Sequence, residues 1–225
     1  MVEGGGQPTD KNLSVAYNTQ ILRQALNSFF SRLLGRDDIS VIVSMEYGYR
    51  NAVKSFLANE KSKLFVDLDA PKCKIEDWFK KLESVNIGSP LHVPINRQKN
   101  IFFMIQEMEA WFLKQPQCFE KWAKTNGWTR RNVDEKIEDH SLITKKDIES
   151  ITKPSVTVAN LMRHFFEKKL KGEKRKIAKY GKLTTAPILL DNLNALLLEK
   201  QDTELQRFNK NIQTMEICSP NDINP

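Results

Sequence analysis

The sequence contains little that would reveal a function directly. Its three cysteines, Cys73, Cys118 and Cys218, form no CxxC pair, so neither a disulfide framework nor a cysteine-based zinc site is indicated. The best apolar run, residues 101–105, is far too short to span a membrane, and glycines and polar residues follow Met1 where a signal peptide would be apolar. We therefore expect a cytoplasmic protein with no membrane partner.

Motifs for nucleotide hydrolysis and for serine catalysis are also missing. The chain has no GxxxxGK(S/T) phosphate loop and no GxSxG nucleophile elbow. We therefore expect it neither to hydrolyse ATP by itself nor to carry a serine triad. His92, His140 and His164 show no ligand spacing along the chain, which favours core or surface histidines over a metal site.

The composition is that of a globular protein with a basic charge balance. With 225 residues, 40% of them hydrophobic and 28% charged, the chain can bury a core and form one large or two small domains. The formal net charge of +7 is compatible with a polyanionic partner such as nucleic acid, but it does not establish one.

Apolar patterning in the first half predicts strands that alternate with helices. The predicted strands are 39–45, 64–66 and one that begins at residue 101; the predicted helices are 13–34, 50–59 and 75–84. This alternation predicts an α/β domain over residues 1–115, with a mostly parallel sheet flanked by helices. Residues 116–212 show helical stripes and no convincing strand, which predicts a helical C-terminal region. Residues 213–225 have the composition of a loose tail.

Carboxylates follow two of the predicted strands. Asp67 and Asp69 come directly after the buried strand, and on an extended chain they would share one face about 7 Å apart at Cα. Such a pair repels unless a cation lies between its members, and its oxygens suit Mg²⁺; the alternative is an ordinary turn or helix cap. Glu107 and Glu109 follow the last strand. They share a face if the strand persists to 109, whereas only one reaches the site if a helix begins earlier.

The segment 167–182 is the densest positive stretch, with eight Lys or Arg residues and two Glu. It is interpreted either as a nucleic-acid-binding arm or as a solvated helix face. In the first case Tyr180 offers an aromatic face on which an unpaired base can stack. The candidate nucleic-acid-binding residues are Lys174, Arg175, Lys176, Lys179, Tyr180 and Lys182.

Three motifs together resemble a known family. VEGGG at 2–6, FVDLDAP at 65–71 and MEAWFL at 108–113 resemble, in order and spacing, a family from bacterial defence loci that is similar to the RloB-like and OLD-type TOPRIM nucleases. The resemblance implies a TOPRIM-like fold in which Glu3, Asp67 and Asp69 bind Mg²⁺ or Mn²⁺ and Glu109 is an added ligand or base. In one respect the chain departs from the family: only Met1 and Val2 precede Glu3, where the family has a hydrophobic strand.

The same resemblance implies an activity and partners. It implies a bacterial, metal-dependent endonuclease that cleaves RNA, such as tRNA, or DNA in defence against phage, beside an ATPase of the ABC or SMC type. Arg50 and Lys182 are the candidate cations that balance the charge of the phosphate in the transition state. The alternative is a regulatory or nucleic-acid-binding subunit of such an ATPase complex, in which the acidic site is degenerate.

Overall fold

The computed structural model describes residues 1–3, 13–85, 88–170 and 174–215. The glycines of the VEGGG motif and part of the basic segment, residues 171–173, lie outside the described residues. Most of the predicted tail does too, although the last helix reaches Met215.

A four-stranded parallel sheet organises the first half of the chain. Its strands are β1 (Val2–Glu3), β2 (Met45–Glu46), β3 (Leu64–Asp67) and β4 (Ile101–Met104), in the order β2-β1-β3-β4. The pairing is parallel throughout, with Val2 opposite Phe65 and Asp67 opposite Met104. The predicted α/β fold with a parallel sheet flanked by helices is therefore confirmed.

The predicted strand 39–45 is wrong except at its last residue. β2 pairs only with β1, which offers two residues, so the ladder covers only Met45 and Glu46. Ahead of it, the backbone N–H of Val43 donates to the side chain of Asn27 at 3.0 Å instead of to a strand. Val43 packs into the core, whereas its β-branched neighbour Ile42 is 83% exposed. The β-branched composition of this segment therefore does not mark a strand.

Helices cover both faces of the parallel sheet. The helices of the first half are α1 (Leu13–Leu34), α2 (Tyr49–Ala58), α3 (Ile75–Glu83) and α4 (Ile95–Gln98). The three predicted helices are thus confirmed to within one residue at each end. Alternation along β3 sends Phe65 towards α1, whereas Leu64 and Val66 pack with apolar side chains of α2 and α3.

The second half combines helices with a small antiparallel sheet. Its helices are α5 (Ala110–Lys114), α6 (Gln117–Thr125), α7 (Pro154–Phe165), α8 (Ala186–Asn192), α9 (Ala195–Gln201) and α10 (Thr203–Met215). Its strands are β5 (Thr129–Arg130), β6 (Phe166–Lys169) and β7 (Arg175–Ile177), in the order β5-β6-β7. No helix among the described residues is long and apolar enough to cross a membrane.

The expectation that residues 116–212 contain no strand is therefore wrong. The strands β6 and β7 pair Lys168 with Lys176 and Lys169 with Arg175, so they carry charge where a strand signal requires β-branched or aromatic residues. β6 also follows α7 directly, so that the apolar stripe of the helix continues into Phe166 without a visible break. Neither feature produces a period of two in the sequence.

The C-terminal helix α10 covers the open edge of the parallel sheet. Its Phe208 packs against Phe30 of α1, Phe65 of β3 and Phe102 of β4, with ring centroids 5.1–5.5 Å apart. The buried carboxylate of Glu204 accepts the backbone N–H of Phe103 at 3.1 Å, which satisfies a donor of the edge strand β4. Both halves of the chain thus hold the sheet whose carboxyl ends carry the candidate site.

Candidate active site

Three carboxylates meet one lysine at the carboxyl ends of the parallel strands. Glu3 ends β1, Asp67 ends β3, and Glu109 lies between β4 and α5. We call Glu3, Asp67 and Glu109 the acidic cluster. Lys182, from the segment that follows β7, lies close enough to all three to feel their charge: burial alone would lower its pKa, but Asp67, Glu109 and Glu3 raise that pKa above its usual value.

Asp67 is held by two donors at the end of β3. Its Oδ1 accepts the backbone N–H of Met108 at 2.9 Å, and its Oδ2 accepts Lys182 Nζ at 2.8 Å. The buried Leu64–Val66 run fixes the strand that delivers this side chain, which is itself only 11% exposed. Burial raises the pKa of the Asp67 carboxyl, and the ammonium of Lys182 opposes the rise.

Glu109 is the most deeply buried member of the acidic cluster, with 1% of the residue exposed. The hydroxyl of Tyr180 donates to its Oε1 at 2.6 Å. Its Oε2 is buried and has no hydrogen-bond partner within the described residues. Burial raises the pKa of Glu109 against the effect of Lys182. A buried carboxylate oxygen without a donor is rare in proteins, and a proton, a water or an ion would satisfy it.

Glu3 lies beside the start of α2 and is partly buried. Burial and repulsion by Asp67 raise its pKa from the ordinary 4.5 to about 7, although Lys182 and a hydrogen bond from the Tyr49 backbone N–H oppose the rise. Glu3 is thus poised between its neutral and charged forms near neutral pH. Such a group is suited to accept or release a proton.

The predicted pair Asp67 and Asp69 does not stay on one face. β3 ends at Asp67, and Asp69 adopts a left-handed backbone with φ of 52°. Its side chain is 67% exposed and lies 3.7 Å from the ammonium of Lys153, while its N–H donates to the carbonyl of Gln106 at 2.8 Å. Gln106 is itself left-handed, with φ of 62°. Two strained residues thus join the loops after β3 and β4, as is common beside functional sites.

Glu107 and Glu109 diverge, as expected if the strand ends before them. β4 ends at Met104, and Glu107 turns away to accept the backbone N–H of Ser155 at 2.7 Å, in the first turn of α7. Only Glu109 reaches the acidic cluster. The sequence alternative in which both glutamates share the site is therefore excluded by this geometry.

Arg50 and most of the described part of the basic segment do not contact the acidic cluster. The guanidinium of Arg50 donates to the carbonyls of Leu82, at 3.3 Å, and Ser89, so it holds the loop after α3. Arg175 pairs with Glu167 at 3.3 Å. Three lysines of the segment are exposed on or beside β7: Lys174, Lys176 and Lys179.

The two ends of the basic segment thus differ in position, because Tyr180 and Lys182 turn inward to the acidic cluster. Gly181 lies between them and close to Thr184, since a Cβ at this position would lie 2.6 Å from Thr184 Oγ1. The role of Tyr180 as a partner of Glu109 was missed from the sequence. The two residues are 71 positions apart, and no local pattern connects them.

The acidic cluster fits a hard divalent cation in its chemistry. All its potential metal ligands are carboxylate oxygens, and one of these oxygens has no hydrogen-bond partner among the described residues. Within the same residues, the ammonium of Lys182 is the one that contacts the cluster directly, and one positive charge does not balance three carboxylates. Mg²⁺ commonly uses one or two carboxylates and retains several waters. In the described part of the chain, no three of Glu3, Asp67, Asp69 and Glu109 bring ligand atoms within 4.8 Å of one another. A full set of protein ligands is therefore not assembled.

The raised pKa of Glu3 predicts that stability falls as the pH rises. In the unfolded chain this carboxyl loses its proton near pH 4.5, but in the folded protein only near pH 7, so the folded state holds the extra proton between these values and loses stability across them. We expect Glu3→Gln to be more stable than wild type by about 2–3 kcal/mol at about pH 8, and to differ little at about pH 4.

Urea unfolding across this pH range measures the effect. The matched control is Glu60→Gln, at an exposed position after α2, which should follow the wild-type curve. If wild type and Glu3→Gln keep the same difference at every pH, then Glu3 does not carry the raised pKa.

Comparisons with known proteins do not assign the chain to a family. No family model, no curated protein and no solved structure matches it. The resemblance to TOPRIM nucleases therefore stays a prediction from three sequence motifs. The case for a function depends on the geometry of the acidic cluster.

Proposed function

We propose that the chain is a metal-dependent nuclease that hydrolyses phosphodiester bonds of RNA or DNA. One observation carries the proposal: Glu3, Asp67 and Glu109 converge with Lys182 at the carboxyl ends of a parallel sheet, and Glu109 Oε2 has no partner among the described residues. Ligands of such sheets bind outside the carboxyl ends of the strands. An excess of carboxylates there favours a cation as part of the site.

Asp67 and Glu109 would hold the cation, Mg²⁺ or Mn²⁺, and Glu3 would act either as a further ligand or as the general base. When bound, a divalent ion activates water and stabilises negative charge on phosphate oxygens. Tyr180 fixes the orientation of Glu109 through its hydroxyl, and Met108 N–H fixes that of Asp67. These two hydrogen bonds keep the carboxylates in place before any ligand arrives.

Lys182 and Glu3 have separate tasks in this proposal. The ammonium of Lys182 neutralises Asp67 in the free protein and can turn to a phosphate oxygen when substrate binds, because its side chain is 40% exposed. Glu3, with a pKa of about 7, can take a proton from water at neutral pH. Asp69 lies on the surface beside Lys153 and would not complete the cluster.

The nucleic-acid partner is inferred from charge, and the ATPase partner from the resemblance of the sequence motifs. A net charge of +7 and the exposed Lys174, Lys176 and Lys179 suit a nucleic-acid backbone. The chain itself has no phosphate loop, and the ATPase of the ABC or SMC type that the resemblance implies would supply any ATP hydrolysis. Together they would form an anti-phage defence system, as the sequence motifs imply.

A second function is favoured by one specific observation. Lys182 already neutralises Asp67, and no three of the four candidate carboxylates gather their ligand atoms within 4.8 Å in the described residues. This arrangement suits a regulatory or nucleic-acid-binding subunit of an ATPase complex that has an acidic site but no catalysis. Cleavage by the purified chain distinguishes the two functions.

The nuclease proposal predicts cleavage that depends on Asp67. We expect the full chain with Mg²⁺ to cleave labelled plasmid or total tRNA, alone or with its ATPase, and Asp67→Asn to reduce the rate by at least about 100-fold. The rate should fall because the substitution removes a carboxylate ligand while keeping the size of the side chain. Gel analysis of the labelled products gives the rates.

The matched control for Asp67→Asn is Asp77→Asn. Asp77 is an exposed aspartate of α3 that pairs with Lys74 at 3.0 Å and is not a member of the acidic cluster. The Asp77→Asn variant should cleave like wild type. Unchanged cleavage by a folded Asp67→Asn variant would contradict the catalytic assignment. Nucleic-acid binding without any cleavage would support the regulatory subunit.

The exposed lysines of the basic segment predict a change in salt dependence. Neutralising Lys174, Lys176 and Lys179 together should weaken nucleic-acid binding and lower the slope of log K against log salt by about 2–3, because each phosphate contact contributes roughly 0.7–0.9. Fluorescence anisotropy at several salt concentrations measures this slope. We leave Arg175 unchanged because it pairs with Glu167.

Three exposed lysines outside this segment provide the control: Lys54 on α2, Lys80 on α3 and Lys210 on α10. Their joint neutralisation lowers the net charge equally, but it should leave the slope unchanged. Equal slopes for the two triple variants would show that the basic segment is a solvated surface and does not bind nucleic acid.

A further inference from the structure

Glu135, His140 and His164 form a second cluster of potential metal ligands, away from the acidic cluster. Among the described residues, this is the group of three in which one ligand atom from each side chain lies within 4.8 Å of the others. Glu135 and His140 lie in the irregular segment between β5 and α7, and His164 is in the last turn of α7. All three side chains are partly buried. The spacing of the histidines in the sequence did not indicate this group.

The two imidazole rings lie against each other, and the Glu135 carboxylate contacts the ring of His164. His164 Nε2 lies 2.9 Å from Glu135 Oε2 and 2.7 Å from Asn132 Nδ2. The ring of His140 lies 4.6 Å from that of His164, and both rings pack edge-on against Phe165. His140 Nδ1 accepts the backbone N–H of Leu142 at 3.2 Å. Packing and hydrogen bonds thus both fix the two rings.

A simple ion pair does not account for this arrangement. One carboxylate needs one protonated imidazole, whereas a second imidazole at this distance would repel it if both were charged. Two imidazoles and one carboxylate are instead an established ligand set for zinc, which binds nitrogen and oxygen at about 2.0–2.2 Å. Ligand atoms of a tetrahedral ion then lie roughly 3.3–3.5 Å apart. The observed separations, from 2.9 Å to at most 4.8 Å, bracket that value.

We propose that Glu135, His140 and His164 bind a divalent transition-metal ion, Zn²⁺ among the common ions, with water completing the coordination. Imidazole nitrogen selects such ions over Mg²⁺, so this site and the acidic cluster differ in the metal they prefer. The Leu142 N–H must release His140 Nδ1 in either binding mode, because metal binding through Nε2 leaves a proton on Nδ1 and binding through Nδ1 uses the lone pair that accepts this hydrogen bond.

The bound ion would cross-link a long irregular segment to α7. Between Arg130 and Pro154, the chain has no regular structure beyond two short 3-10 turns, Ile137–Asp139 and Ile148–Ser150. Long loops of this kind are commonly tied down for a function. The far end of the segment contacts the loops beside the candidate active site, because the Glu149 carbonyl accepts Gln106 Nε2 at 3.1 Å and Lys153 lies beside Asp69. The metal would therefore order a segment that supports that site.

Titration of the full chain with Zn²⁺ alone tests the site. After treatment with EDTA, isothermal titration calorimetry should give one Zn²⁺ per chain. His140→Ala and His164→Ala should each weaken binding at least about tenfold, because each removes one of three protein ligands. Zn²⁺ should also raise the melting temperature of wild type, and this rise should be lost in both variants.

Two variants serve as matched controls. His92→Ala removes the remaining histidine, which pairs with Glu83 at 2.8 Å at an exposed position but has no second imidazole near it. Cys73→Ser removes an exposed thiol. Both should bind Zn²⁺ like wild type. If His92→Ala or Cys73→Ser weakens binding as much as His140→Ala, or if no stoichiometric Zn²⁺ binds, the proposal is wrong.

The visible absorption of bound Co²⁺ tests the site on the wild-type chain, so this test does not depend on whether the variants fold. Co²⁺ in this site should give the visible absorption of a four- or five-coordinate ion, and added Zn²⁺ should abolish it. Absence of that absorption at stoichiometric Co²⁺ would overturn the proposal even if the histidine variants are unfolded.

Discussion

The contact between Lys182 and Asp67 is the interaction on which the candidate site depends. Three carboxylates whose pKa values are raised repel one another when they are charged, and a cation among them relieves that repulsion. Lys182 supplies that cation from 115 residues further along the chain. The same turn of backbone delivers Tyr180 to Glu109. The second half of the protein thereby completes a site whose carboxylates come from the first half.

The energy that holds this arrangement comes from the core around it. Removing one partner of a largely buried ion pair costs more free energy of folding than the pair itself contributes, because it leaves the other charge buried alone. The surrounding packing must therefore hold both partners in place. Here Phe208 of α10 locks β3 and β4 against α1, and Glu204 covers the edge of β4. Asp69 and Gln106 adopt a left-handed backbone, which is uncommon for residues other than glycine, and the Asp69 N–H donates to the Gln106 carbonyl at 2.8 Å.

Sequence patterns predicted the parts of the structure that arise from local periodicity. The helices of the first half, the strands at 64 and 101, and the placement of Asp67 and Glu109 at strand ends all follow from apolar runs and stripes. Strand alternation failed beyond Asp67, because the strand ends there and Asp69 turns outward. The charged strands β6 and β7 carry no period of two. The pairing of Tyr180 with Glu109, like that of His140 with His164, is set by tertiary packing and leaves no local signal.

The central claim is that Lys182 holds a place in the acidic cluster that a divalent cation can share or take over. The most direct measurement is the free energy of unfolding of Lys182→Met, compared with wild type, in EDTA and in Mg²⁺, with Lys200→Met on α9 as the control. The account predicts that Lys182→Met is less stable in EDTA by about 1–3 kcal/mol, since its partly exposed pair is weakened by solvent, and that Mg²⁺ restores much of the loss. Equal stability of Lys182→Met and wild type in EDTA, or a variant that Mg²⁺ stabilises no more than wild type, would contradict it.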